Sequence, residues 1–179
     1  MIVKGDLSMF LRILGCPDKR FKSYVREAAE FFGQTLITNK RLYDNINLTI
    51  KFNKKLDFYG YSSVEGFNDN WKPREFMIQI RDGLGVEDVF ETLAHEMVPV
   101  KQFAKGETNA SLSRWHGAVI DPDAIEYYYQ PWEIEAYGRE EGLYMKFMVK
   151  HELWKIFKGI KNPHRPIKNK KIVWKTLDK

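Results

Sequence analysis

The chain is poor in cysteine and histidine, and it lacks long apolar runs. Cys16 stands alone, so no intrachain disulfide can form, and a single thiol suits a reducing compartment. No apolar run approaches the ~20 residues that a membrane-spanning helix needs. The N-terminal stretch, Met1 to Cys16, is too polar, and too short in its apolar part, to read as a signal peptide. These absences point to a cytoplasmic protein with no membrane partner. There is no internal repeat and no low-complexity block. Histidine occurs four times, at His95, His116, His151 and His164, which leaves few ways to assemble a metal site.

What is present is ordinary for a globular protein, with one asymmetry. The 179 residues suit one domain with a real core, and 44% are hydrophobic and 30% charged. Aromatic residues make up 15%, so the core is expected to be rich in Phe, Tyr and Trp. The net charge of +5 is unevenly spread. From Lys150 to Lys179 there are ten Lys/Arg and two acids, a local +8, so the rest of the chain sums to −3. This divides the chain into a domain over residues 1–157 and a basic tail over 158–179. Lys168, Lys170 and Lys171 in that tail are candidate nucleic-acid contacts, although no nucleic-acid-binding motif accompanies them. A solvated, poorly ordered end explains the same charge.

Periodicity gives an α+β order. Phe21, Tyr24, Val25, Ala28, Ala29, Phe31 and Phe32 recur at helical spacing within Asp18 to Ile37. Asn47 to Phe52 alternates and reads as a strand, Leu56 to Tyr61 as a second, and Phe76 to Ile80 as a third, with a turn at Arg81-Asp-Gly. A helix is then expected from Gly85, burying Val89, Phe90, Leu93, Ala94 and Met97. Arg114 to Ile120 reads as a short strand or hairpin arm, and Asp121-Pro-Asp as a turn. A long helix is expected from Pro131 to Phe157, with proline in its first turn.

The most informative stretch is Thr92-Leu-Ala-His95-Glu96-Met-Val-Pro99-Val-Lys-Gln102. It reads like the zinc-peptidase signature H-E-x-x-H with its second histidine replaced by Pro99. Residues four apart on a helix share a face, so two histidines at that spacing grip one metal ion, and the intervening glutamate polarises a metal-bound water. His95 occupies the first ligand position and Glu96 that of the general base. Pro99 offers no donor. A mid-helix proline costs about 3 kcal/mol, so the helix is expected to kink or end near His95.

A second feature follows at Pro131-Trp-Glu133-Ile-Glu135-Ala-Tyr-Gly-Arg-Glu140. Together the two stretches resemble small H-E-x-x-H metallopeptidase-like proteins common in tailed phages, related to the ImmA/IrrE-type peptidases. The resemblance covers about residues 20 to 150. It implies a minimal zincin-like α+β fold: an N-terminal helix, a small three- to four-stranded mixed sheet, the signature helix and a long C-terminal helix. It also implies a host-cytoplasmic setting, Zn²⁺ as cofactor and a peptide or protein as substrate. In such gluzincins a glutamate from the downstream helix is the third metal ligand, and the local pattern E-x-x-A matches Glu133-Ile-Glu-Ala136.

Helix faces favour Glu133 over Glu135 for that role, since Glu133, Ala136, Tyr137 and Glu140 share one stripe. Taken alone, both acids read as first-turn residues that suit the helix dipole; beside His95-Glu96 the ligand reading is favoured. His116, between the two motifs, is the candidate replacement for the missing ligand, with Asp121, Asp123 and Tyr127 to Tyr129 as other donors. Three functions remain open. One is a zinc peptidase with a substitute ligand. The second is an inactive zincin-fold module that binds a peptide or partner. The third is a phage accessory protein whose basic tail contacts nucleic acid.

Overall fold

The computed structural model describes residues 9–16 and 18–157. The basic tail, with Lys168, Lys170 and Lys171, lies outside the described residues, as does His164. The elements run β1 (Phe10–Leu14), α1 (Lys19–Leu36), α2 (Lys40–Asp44), β2 (Asn47–Asn53), β3 (Gly60–Phe67), β4 (Pro73–Arg81), α3 (Val86–Lys105), β5 (Arg114–Trp115), β6 (Ala118–Val119), α4 (Pro131–His151) and α5 (Leu153–Phe157). Two short 3₁₀ turns, Pro122–Ala124 and Tyr127–Tyr129, lead into α4. The protein is α+β, with a small mixed sheet and a long helix near its C-terminal end. No described helix is long and apolar enough to cross a membrane.

The sheet order is β1-β2-β4-β3. β1, β2 and β4 run parallel, and β3 pairs antiparallel with β4, so β3 is an edge strand. Alternation puts Leu11 and Ile13 of β1, Leu48, Ile50 and Phe52 of β2, and Phe76, Ile78 and Ile80 of β4 on one buried face. The opposite face carries Arg12, Thr49, Lys51 and Gln79, which are half-buried or exposed. Helices therefore pack on one side only. α3 is the central one, touching α1, α4, β3 and β4. A ring cluster of Phe21, Phe32, Phe90 and Phe147 ties α1, α3 and α4 into one core.

Caps set the helix ends. Asp18 accepts from the Phe21 N–H at 2.7 Å to start α1, and Asp88 accepts from the Gly85 N–H at 3.2 Å to start α3. Gly106, with φ 73°, ends α3 in the left-handed region. Gly60 is needed for another reason. A Cβ there would lie 2.6 Å from Thr92 Cγ2 and 2.8 Å from the Gln79 carbonyl, so only glycine lets β3 begin this close to α3.

Three expectations change, and the sheet gains a strand. α3 does not end at Pro99 but continues to Lys105. Val98 and Val100, beside the proline, are fully buried, as is Met97. Each such side chain contributes about 1.5–3 kcal/mol on burial, so the set outweighs a proline penalty of about 3 kcal/mol. The second strand starts at Gly60 rather than Leu56 and runs on to Phe67. Its sequence is polar because it is a half-exposed edge, whereas Phe58 and Tyr59 before it are exposed loop residues. The N-terminal stretch provides β1. The last helix breaks at Glu152, whose φ of 49° is left-handed, so α4 and α5 are separate.

Candidate functional site

α3 and the first turns of α4 lie side by side, and their facing side chains form a polar cluster at the end of β3. His95 stands at its centre. Its Nδ1 is 2.7 Å from Glu140 Oε2, and its Nε2 is 3.5 Å from Glu133 Oε2. The short contact fixes the ring: Nδ1–H donates to Glu140 and Nε2 is turned toward Glu133. A carboxylate behind a histidine in this way orients metal-ligating imidazoles and raises their basicity. Tyr137 meets the His95 ring edge-on, with centroids 4.7 Å apart.

Glu133 is the residue that calls for an explanation. Its side chain is 12% exposed, and its Oε2 is buried with no hydrogen-bond partner. The 3.5 Å gap to His95 brings opposite charges together without closing a hydrogen bond. Two donors on one tetrahedral zinc, each at ~2.0–2.1 Å, stand roughly 3.3–3.4 Å apart, so this spacing suits a shared cation. The Tyr127 hydroxyl stands against the same carboxylate, and burial followed by that contact pushes its pKa upward.

Glu96, next to His95 on α3, lines the same cleft and reaches toward the edge strand β3. It is 7% exposed, and its carboxylate accepts from the Ser62 hydroxyl and backbone N–H on β3. One N–H on the outer edge of β3 is thus taken by α3. Burial raises Glu96 to about 7, against the pull of His95 and Ser62. Burial alone would lower His95, but Glu133, Glu96 and Glu140 outweigh it and raise the imidazole to about 9. A proton on His95 supplies the positive charge that these carboxylates demand.

The other candidate ligands lie elsewhere. Glu135 is engaged by Lys101 at 2.6 Å, Gln102 at 3.0 Å and Arg139 at 2.8 Å. Burial would raise its carboxyl, yet those donors hold it down at about 2. Lys101 also binds Glu107 at 2.6 Å, so Glu135 is part of a structural ion network that joins α3 to α4. His116 sits exposed in the turn between β5 and β6, with φ 47°, and its ring packs edge-on against Trp115. It does not line the cleft. Asp121 caps a 3₁₀ turn through the Asp123 N–H, and both side chains are exposed. Among the described residues, no group of three or more His, Cys, Asp or Glu is placed to hold a metal.

Among the described residues the donor set is therefore one short of a catalytic zinc site, which usually has three protein ligands. His95 Nε2 and Glu133 Oε2 converge, and Pro99 stands one helical turn from His95 with nothing to offer. Three residues at this site were not singled out from the sequence. Glu140 shows itself only as the i+7 partner of Glu133 on one stripe. Tyr61 ends the expected strand without standing out as a site residue, and Ser62 lies in the polar part of β3 beyond it.

Beside the cluster lies a cleft of about 570 Å³. Phe58, Tyr59, Gly60 and Tyr61 form its strand side, and Glu91, Thr92, His95 and Glu96 its floor. Tyr127, Tyr137 and Glu140 form the far wall. Comparison of the chain with models of protein families, with curated proteins and with solved structures finds no match.

Proposed function

We propose that this chain is a zinc-metallopeptidase-like protein, phage-encoded, that works as a peptide- or partner-binding module without a complete catalytic metal site. The observation behind this reading is Pro99. It lies inside an unbroken α3, one turn beyond His95, and no described His, Cys, Asp or Glu joins His95 and Glu133 in place of the donor it lacks. The features that would bind a peptide are present: a cleft of about 570 Å³, a half-exposed edge strand and aromatic walls. An extended peptide would lie along β3 near Gly60 and Tyr61, using backbone groups that β4 leaves free. Glu96 then serves to tie α3 to β3 through Ser62. The test is Glu96→Gln, a near-isosteric change. Peptide binding and biological activity should survive it. Loss of activity from a folded Glu96→Gln protein would reverse the reading in favour of chemistry.

A second reading has its own support in the buried, unpartnered Oε2 of Glu133. Zn²⁺ held weakly by His95 and Glu133 would act as a Lewis acid toward a peptide carbonyl, with Glu96 as general base. It predicts zinc-dependent cleavage of a quenched fluorescent peptide that disappears in Glu96→Gln. Absence of cleavage at saturating zinc removes it.

A further inference from the structure

The walls of the cleft have a composition that the peptidase-like reading does not require. Phe58, Tyr59 and Tyr61 on the strand side are 54%, 52% and 36% exposed, and Tyr127 and Tyr137 opposite are 51% and 42% exposed. The rings support one another: Phe58 lies 5.8 Å from Tyr61, and Tyr128 braces both Tyr127 at 5.3 Å and Tyr137 at 5.7 Å. Between the two walls stand Glu91, Glu96 and Glu140, with His95 as the opposing charge in the lining. The negative charge continues past the rim. Glu91 is pushed above the usual carboxylate range by burial and then by Asp88, Glu140, Glu87 and Glu141.

Each kind of occupant meets this surface differently. An acidic side chain would face like charge. A purely apolar one would cover the rings but strip water from the carboxylates with nothing in return. A lysine or arginine satisfies both features, with its stem on the rings and its charged head beside the carboxylates. The chain already makes such a contact on the strand wall, where the Arg81 guanidinium lies 4.9 Å from the Tyr59 ring centroid.

We propose that the cleft selects an extended segment bearing a lysine or arginine, held between Tyr61 and Tyr137 with its charge toward Glu91 and Glu140. This selectivity rests on the peptide-binding reading above. The test uses the full chain and three short, end-blocked, fluorescent peptides that differ only in a central arginine, norleucine or glutamate, read by anisotropy. The arginine peptide should bind about tenfold or more tighter than the norleucine peptide. That margin should shrink in Glu91→Gln and in Tyr137→Leu, and with added salt. Equal binding of arginine and norleucine peptides overturns the basic preference while leaving a peptide cleft in place. Tighter binding of the glutamate peptide overturns it as well. A preference unchanged in both variants puts the basic peptide elsewhere on the surface and refutes this assignment. Failure of all three peptides to bind sinks the peptide-binding reading itself.

Discussion

Pro99→Ala should make this protein more stable, and the size of the gain follows from where the proline sits. Within α3 the proline has no N–H to offer the carbonyl of His95, and its ring crowds that carbonyl. Removing it from a helix interior recovers about 3 kcal/mol. Two losses offset the gain. The ring is half-buried, so its removal forfeits about 1 kcal/mol of apolar contact. Alanine also leaves the unfolded chain freer, which costs about 0.4–1 kcal/mol. The net is a stabilisation of about 1–1.5 kcal/mol, or about 2–6 °C in Tm for a domain of this size. Thermal unfolding by circular dichroism with chelator present measures it without any metal contribution. A variant less stable than the parent would refute the reasoning, because α3 would then have found a packing in which the proline is a net asset.

Three further outcomes are expected. Lys101→Met should cost about 2–4 kcal/mol in urea unfolding, since Glu107 and Glu135 lose a buried cation and keep only Lys105, Gln102 and Arg139; a change under about 0.5 kcal/mol would show the network to be ornamental. Glu135 is held at about 2, below its unfolded value, so its contribution is present at neutral pH and lost as the pH falls from about 4.5 toward 2. Over that window the parent should lose more stability than Glu135→Gln, and parallel curves would contradict the ion network. Burial raises the Cys16 thiol to about 11, outweighing a backbone hydrogen bond from Asp18, so alkylation by iodoacetamide at pH 8 should be about 100-fold slower than for a thiol at its ordinary value, rising until about pH 11; a fast reaction at pH 8 would show the thiol to be open.

The parts of this fold that bury a clean periodic stripe were legible from residues alone. The α1 stripe from Phe21 to Phe32 and the alternation in β2 are of this kind, because one face of each meets the core and the other meets water. β3 was misplaced because an edge strand beside a cleft is polar on both faces. Its nearest apolar alternation, Leu56 to Tyr61, belongs to the cleft wall. Pro99 misled in the opposite sense. Local propensity argued for a broken helix, but the burial of Met97, Val98 and Val100 is a tertiary effect that no local rule contains. At the site, helix spacing alone put Glu133, Tyr137 and Glu140 on one face of α4. It did not reveal that Lys101 and Gln102, on the next turns of α3, would claim Glu135. Nor could spacing place His116, whose position depends on a two-residue hairpin with a left-handed turn.

His95 and Glu133 converge beside the cleft, and among the described residues no third His, Cys, Asp or Glu joins them. Zinc titration by calorimetry, on the parent chain and on Pro99→His, tests it most directly. The parent should bind Zn²⁺ weakly, and Pro99→His should bind it at least about 100-fold more tightly, a difference of about 2.7 kcal/mol. The gain should vanish when His95→Ala or Glu133→Gln is added. Tight, stoichiometric zinc on the parent chain, lost in His95→Ala, would contradict the account and point to a ligand beyond the residues described.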